Sequence, residues 1–375
     1  MSSVDHLEIF LVSVPGLEDA LRAEAAEKGF RAPVVEKGGV TVRGGWSEIW
    51  RANLQLRGAS KVLVRIGEFR TPHLAQLDKR MRRFPWVEFL RLDVPVRVEV
   101  SCKRSRIYHS GAAAERVEKA LKEGFGVSIE RDAEICVKVR IHNDLCTISL
   151  DTSGEGLHKR GHKEAVNKAP MRETMAALFL RQCGFNGAEP VVDPMCGAGT
   201  FVIEAAEIAA GLVPGRSRHF AFERFAGFDE AAWRKMRDKM VEPVAEGIRF
   251  YGSDRDAGAV QMSRANAERA GVSALTEFRE APISGAMPPS GPPGLVIVNP
   301  PYGGRIGNPK RLFPLYKSLG QTLMEQFAGW RVGLITSKPS LAKATGLSFV
   351  ATGEPVSHGG LTVKLYTTGA LSPKG

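Results

Sequence analysis

From Met171 onward, short apolar runs alternate with amphipathic stretches of ten or more residues, and this alternation constrains the fold more than any other feature of the chain. The pattern predicts helices over 173–183, 200–210, 257–270 and 316–327, and strands over 190–193, 248–254, 295–298 and 332–336. Strands joined by helices pair in parallel. Residues 171–375 are therefore expected to form an α/β domain with a doubly wound, mostly parallel sheet. Ligands bind such sheets at the carboxyl ends of the strands, which directs attention to the residues just after 193, 254 and 298.

The preceding residues have another character. Strand-like runs at 7–14, 40–42 and 62–66 flank a helix-period segment, 17–28, that stops at Gly29. A second set, with strands at 94–100, 135–141 and 145–150 and a helix over 111–122 closed by Gly124, makes another α+β unit. Between 151 and 171 the composition shifts to Gly, Lys, Arg and His, as in a linker, and Pro282–Gly294 reads as a surface loop.

Charge bears on the partner. The chain has 52 Lys+Arg and 41 Asp+Glu, a net +11, and residues 57–106 alone carry 13 basic and 5 acidic residues. Nucleic acid is the expected partner. Lys79, Arg80, Arg82 and Arg83 lie beside Phe84 and Trp86, and Lys103, Arg104 and Arg106 form a second cluster. Either could track phosphates, and either could be a solvated face. Five scattered cysteines without a CxxC pair read as reduced thiols. With no basic leader and no run of about 18 apolar residues, a soluble, cytoplasmic protein without membrane contact is expected.

Three motifs carry the chemistry. Asp193-Pro194-Met195-Cys196-Gly197-Ala198-Gly199-Thr200 forms the first strand-to-helix turn, whose glycines admit a ligand close to the backbone. Val202 stands where a dinucleotide fingerprint needs its third glycine, and no phosphate-loop motif occurs. Cys196 inside this turn has a packing reading and a nucleophile reading, and lacking an obvious base it favours packing. Gly252-Ser253-Asp254-Arg255-Asp256 ends the next strand, where Asp254 suits ribose hydroxyls and Asp256 suits a helix cap. Asn299-Pro300-Pro301-Tyr302 follows the third strand. A carboxamide oxygen and a proline carbonyl held rigid there suit the two hydrogens of an exocyclic amine, and Tyr302 can stack on the base that bears it.

Together these motifs resemble the class I S-adenosylmethionine-dependent methyltransferases that act on exocyclic amines. More narrowly, the chain resembles the bacterial THUMP-domain RNA guanine-N(2)-methyltransferases, which include the large-subunit ribosomal RNA enzyme. The likeness extends to Val14-Pro15-Gly16-Leu17-Glu18, to Ser105–Gly111, to Leu150–His158 with Arg160-Gly161, to the insertion 213–225 with Trp233, and to Tyr302-Gly303-Gly304-Arg305. His162 stands where the family often has a large aromatic.

The resemblance implies a ferredoxin-like domain over 1–66, an RNA-binding THUMP domain over 67–152, a linker over 153–170 and a Rossmann-like methyltransferase domain over 171–375. By it, Asp193, Pro194, Gly197, Gly199 and Thr200 meet the methionine end of S-adenosylmethionine, Asp254 its ribose, and Glu280 and Ala281 its adenine. Asn299 to Tyr302 hold the target guanine. Lys103, Arg104, Arg106, Arg160 and Arg305 are the candidate RNA contacts, and no metal is expected. Ribosomal RNA is the favoured substrate. Transfer RNA is the near alternative and adenine N(6) the more distant one.

Overall fold

The computed structural model describes residues 6–163, 171–239, 243, 247–303 and 309–373. Two compact units divide it. The first comprises residues 1–13, 22–157 and 218–239, and the second comprises 14–21, 158–217 and 240–375.

The first unit is built on a seven-stranded sheet of order β2-β3-β1-β4-β7-β6-β5. Its elements run β1 (Leu7–Val12), α1 (Glu18–Glu27), β2 (Val34–Glu36), β3 (Gly39–Gly44), α2 (Trp46–Gln55), β4 (Lys61–Arg70), α3 (Leu74–Arg82), β5 (Val96–Lys103), α4 (Ser110–Lys119), β6 (Ile135–His142) and β7 (Leu145–Asp151). Alternate side chains of β1 enter the core, with Ile9 and Leu11 fully buried, as the two-residue period of a strand requires. The domain boundary expected at 66/67 falls inside β4. That ten-residue strand pairs with β1 through Lys61–Arg65 and with β7 through Leu63–Arg70, so the two expected units share one sheet. A bulge interrupts the β4 register between Arg65 and Gly67, and a Cβ at 67 would lie 2.4 Å from the Phe84 ring. The helix expected to end at Gly124 passes into a π-type turn and stops at Gly126, which takes the left-handed φ of +93°.

The end of β7 is fastened by buried polar groups. Asp151 accepts from Lys61 Nζ at 2.6 Å, and Thr152 Oγ1 donates to the Val62 carbonyl while accepting from Asn53 Nδ2. Ser153 Oγ donates to Asn53 Oδ1 at 2.7 Å. Each buried group thus finds a partner.

The second unit carries an eight-stranded sheet. Its chain runs through α5 (Glu173–Gln182), β8 (Val191–Asp193) and α6 (Thr200–Ala209), after which residues 218–239 with α7 (Glu230–Arg237) group with the first unit. It continues through β9 (Phe250–Asp254), α8 (Ala257–Arg269), β10 (Thr276–Glu280), β11 (Leu295–Val298), α9 (Pro309–Gln326), β12 (Arg331–Thr336), α10 (Pro339–Ala344), β13 (Phe349–Thr352), β14 (Val356–His358) and β15 (Leu361–Thr368). The order is β10-β9-β8-β11-β12-β15-β13, with β14 paired to β15. Strands β8 to β12 pair in parallel, and β15 runs antiparallel to β12. One face of the sheet is covered by α9, whose Tyr316, Leu319 and Leu323, with Phe327 just beyond its end, pack with Val296, Val298 and Leu334. Among the described residues, no helix is long and apolar enough to cross a membrane.

Residues 218–239 complete the core of the first unit. Phe222 stacks on Phe220 with centroids 5.3 Å apart, meets Trp233 edge-on at 5.0 Å, and stacks on Trp50 of α2 at 6.0 Å. Arg218 donates to the carbonyls of Ser153, Glu155 and Gly156. Aromatic pairs of this kind add to their area burial. Phe222→Ala should therefore destabilise the first unit by about 3–5 kcal/mol. Urea unfolding followed by far-UV circular dichroism measures it, and a loss below about 1 kcal/mol would remove Phe222 from the core.

Candidate active site

The turn after β8 is held from both sides. The Cys196 amide donates to the Ser253 carbonyl at 2.9 Å, and the Gly197 amide donates to Asp254 Oδ2 at 3.0 Å. From α8, Ser263 Oγ donates to the Gly197 carbonyl and Asn266 Nδ2 to the Ala198 carbonyl. Gly199 caps α6 at φ +81°, where any side chain is strained, and a Cβ there would lie 3.1 Å from Ser263. Cys196 packs within this framework, and burial pushes its thiol well above the ordinary range, in accord with the packing reading and against the nucleophile reading.

A cleft of about 640 Å³ opens at the carboxyl ends of β8, β9 and β11. That volume is typical of a small-molecule site. Asp193, Pro194, Gly197, Thr200, Asp254, Ala281 and all of Asn299 to Tyr302 line it. Asp254 Oδ1 accepts from the Asp256 amide, and Asp256 caps α8, as the sequence suggested for Asp256, which also lines the cleft. Asp193 is 2% exposed and accepts from the Met195 amide. Burial, reinforced by the nearby Asp254 charge, pushes its carboxyl up to about 8. Asn299 Oδ1 is buried and has no hydrogen-bond partner among the described residues. An orphaned buried acceptor costs about 1–3 kcal/mol, a cost that a bound donor removes. Burial pushes the Tyr302 hydroxyl up to about 12, so it stays neutral beside the cleft.

Several expected contacts lie elsewhere. Gly199 is buried and does not line the cleft; it makes the left-handed turn. Glu280 is exposed and also outside the cleft, while Ala281, Pro282 and Ile283 line it, positioned by the Ala281 amide on the Asp254 carbonyl. Arg160, expected at an RNA surface, is 2% exposed and pairs with Glu204 of α6 at 3.2 Å. A buried guanidinium in an ion pair cannot track a phosphate. Its neighbour His162 is buried against Glu207. Arg305 lies outside the described residues. In the first unit Lys103, Arg104 and Arg106 are exposed, where β5 runs into a loop pinned by the Arg106 amide on Asp144 Oδ1 and by Ser105. Tyr108, 84% exposed, stands beside them. In the other aromatic-basic cluster Trp86 is buried and donates to the Met81 carbonyl and Arg82 pairs with Asp78 and Glu123, whereas Lys79, Arg80 and Arg83 are exposed.

The cleft also includes residues that the motifs did not mark: Met171, Phe201, Leu315 and the turn His358 to Leu361. The turn had a signal in the pair Gly359-Gly360, both at positive φ between β14 and β15.

A doubly wound sheet with a glycine turn, an acidic strand end and Asn-Pro-Pro-Tyr around one cleft defines an α/β methyltransferase. The chain belongs to the RMKL-like methyltransferase domain family, which matches residues 160–362. Residues 8–63 match the RlmL ferredoxin-like domain. Among solved structures, the putative methyltransferase SMU.472, crystallised with S-adenosylhomocysteine, is 26% identical, with 99% of this chain and 100% of that one covered and a TM-score of 0.88. A possible methylase from Clostridium difficile 630 is 29% identical, covering 99% and 100%, with a TM-score of 0.87. A predicted N6-adenine-specific DNA methylase from Listeria monocytogenes is 29% identical, covering 97% and 96%, with a TM-score of 0.84.

The raised Asp193 carboxyl has a consequence for stability. The folded, ligand-free protein holds this proton at pH values where the unfolded chain has released it. Its contribution is therefore complete below about pH 4 and is lost as pH rises through 8, by up to about 1.4 kcal/mol per pH unit. Asp193→Asn should flatten that part of the profile and raise stability at pH 9. Thermal melts of both proteins from pH 4 to 9 test this, and parallel profiles would refute it.

Proposed function

We propose that the protein transfers a methyl group from S-adenosylmethionine to the exocyclic N(2) amine of a guanosine in 23S ribosomal RNA. The observation that carries this reading is the orphaned Oδ1 of Asn299 in the cleft, an acceptor awaiting a donor. The cofactor supplies an electrophilic methyl on its sulfonium when bound. The residues fit it: Asp254 ends β9 within the cleft where a ribose diol would lie, and Asp193 offers a buried carboxyl for a cationic group. The structure in complex with S-adenosylhomocysteine described above supports the same cofactor.

Asn299 Oδ1 and the Pro300 carbonyl then accept the two amine hydrogens, which turns the nitrogen lone pair toward the methyl and stabilises the positive charge that develops. Tyr302, neutral and half-buried, gives the base a face to stack on. The amine's proton leaves to solvent after transfer, so no strong base is needed. Because the amine of a paired base is inaccessible, the nucleotide must be flipped, at a cost of a few kcal/mol. Lys103, Arg104 and Arg106, with Tyr108, support a phosphate- and base-contacting surface on the first unit.

Ribosomal RNA is favoured by the likeness of the Asp151–His158 segment and the 213–233 insertion to the large-subunit enzymes. The Listeria relative gives the adenine-N(6) reading its one observation, the name that protein carries.

Asn299→Ala should lower the methyl-transfer rate by about 100-fold or more while changing cofactor affinity less than about threefold, since a donor-acceptor contact made at the reacting centre is lost. Retained turnover would remove the acceptor-pair role. Incubating the protein and labelled cofactor with total RNA from cells lacking it should yield N(2)-methylguanosine in 23S RNA. Label in N(6)-methyladenosine would overturn the base, and label confined to transfer RNA would overturn the substrate.

A further inference from the structure

In the basic stretch from Lys159 to Lys163, Lys159 is exposed and Arg160 is buried, and a third cation reaches the wall of the cleft. Lys163, with its side chain 12% exposed, donates to Thr200 Oγ1 at 2.9 Å and to the Met171 carbonyl at 3.2 Å, and it pairs with Glu173 Oε1 at 3.0 Å. Thr200 and Met171 both line the cleft, whereas Lys163 does not. Three bonds hold the ammonium behind the cleft wall, one of them to a hydroxyl that lines the cleft. The lysine's effect on a ligand passes through Thr200.

A threonine hydroxyl has one hydrogen to donate and two lone pairs to accept with. Lys163 occupies an accepting site, which commits the Thr200 hydrogen to an acceptor other than the lysine. Thr200 opens α6, a ten-residue helix whose first amides carry partial positive charge, and it follows directly on Gly199. The fixed cation behind it adds to that potential. An anionic acceptor in the cleft fits this corner, while the carboxyl groups of Asp193 and Asp254 occupy the neighbouring strand ends. S-adenosylmethionine has one anionic group, the carboxylate of its amino-acid end.

We propose that Lys163 is a positioning residue which, acting through Thr200, sets the donor that takes the cofactor's carboxylate. The proposal rests on the cofactor reading above. Glu173 holds the ammonium in place from the first turn of α5 and keeps the buried corner close to neutral before the ligand enters.

Calorimetric titration of S-adenosylhomocysteine and of 5′-methylthioadenosine, which lacks the amino-acid end, tests the role in the full-length protein. Lys163→Met should weaken S-adenosylhomocysteine by about tenfold or more, the scale of a charge-assisted hydrogen bond, and methylthioadenosine by less than about twofold. Lys163→Arg should recover most of the loss. In a Thr200→Val background the lysine substitution should cost little more, because the two residues act as one unit. Unchanged S-adenosylhomocysteine affinity, equal losses for both ligands, or full additivity with Thr200→Val would each overturn the proposal. Should Lys163→Met fail to fold in a thermal melt, Lys163→Gln carries the same comparison. A wild-type protein that binds neither ligand would overturn the cofactor reading itself.

Discussion

Two adjacent strand ends are stitched together at the centre of the second unit, and the rest of the cleft depends on that stitch. The amides of Cys196 and Gly197 reach across from the end of β8 to the Ser253 carbonyl and the Asp254 carboxylate at the end of β9. The glycine turn would otherwise be a flexible loop. With Ser263 and Asn266 holding its carbonyls from α8, its donors and acceptors are committed before any ligand arrives. Preorganisation of this kind lowers the ordering cost of binding. It also leaves Asp254 with accepting capacity to spare. One carboxylate has about four accepting directions, and two backbone amides use only part of that capacity.

Around this centre several basic residues are used internally. Arg160 pairs with Glu204, Arg216 with Glu207, and Lys163 with Glu173, while Arg218 caps three carbonyls in the other unit. Buried pairs are expensive to desolvate, and their common benefit is one geometry in place of several. Each such pair takes a glutamate out of play with its base, so the pairs leave the net +11 unchanged for other side chains to carry. The segment 103–106 keeps its side chains outward because its own fastening uses backbone and short polar groups.

The parallel part of the sheet was legible because β8, β9, β11 and β12 are short apolar runs separated by long helices. The antiparallel strands β13 to β15 were not, since their apolar residues are interrupted by Gly353, Glu354, Pro355 and the Gly359-Gly360 turn. Helix α9 begins at Pro309, well before the expected Tyr316, because Pro314 inside it looks like a break. Asp193, Thr200, Asp254 and Asn299 could be read from motif and strand-end position. Gly199 and Arg160 were misassigned because sequence shows residue type and not direction. A glycine that makes a turn looks the same as one that touches a ligand, and a basic residue bound for a buried glutamate looks the same as one bound for solvent.

The aromatic group of Trp50, Phe222 and Trp233 joins residues that are far apart in the chain. During synthesis, the seven-stranded sheet can pair once Asp151 has emerged, yet α2 still lacks the rings that cover it. The nascent chain must carry Trp50 uncovered while some seventy further residues are added. Folding of the amino-terminal unit is thereby tied to translation deep into the catalytic sequence, and the ribosome, rather than a domain boundary, sets the moment at which its core closes.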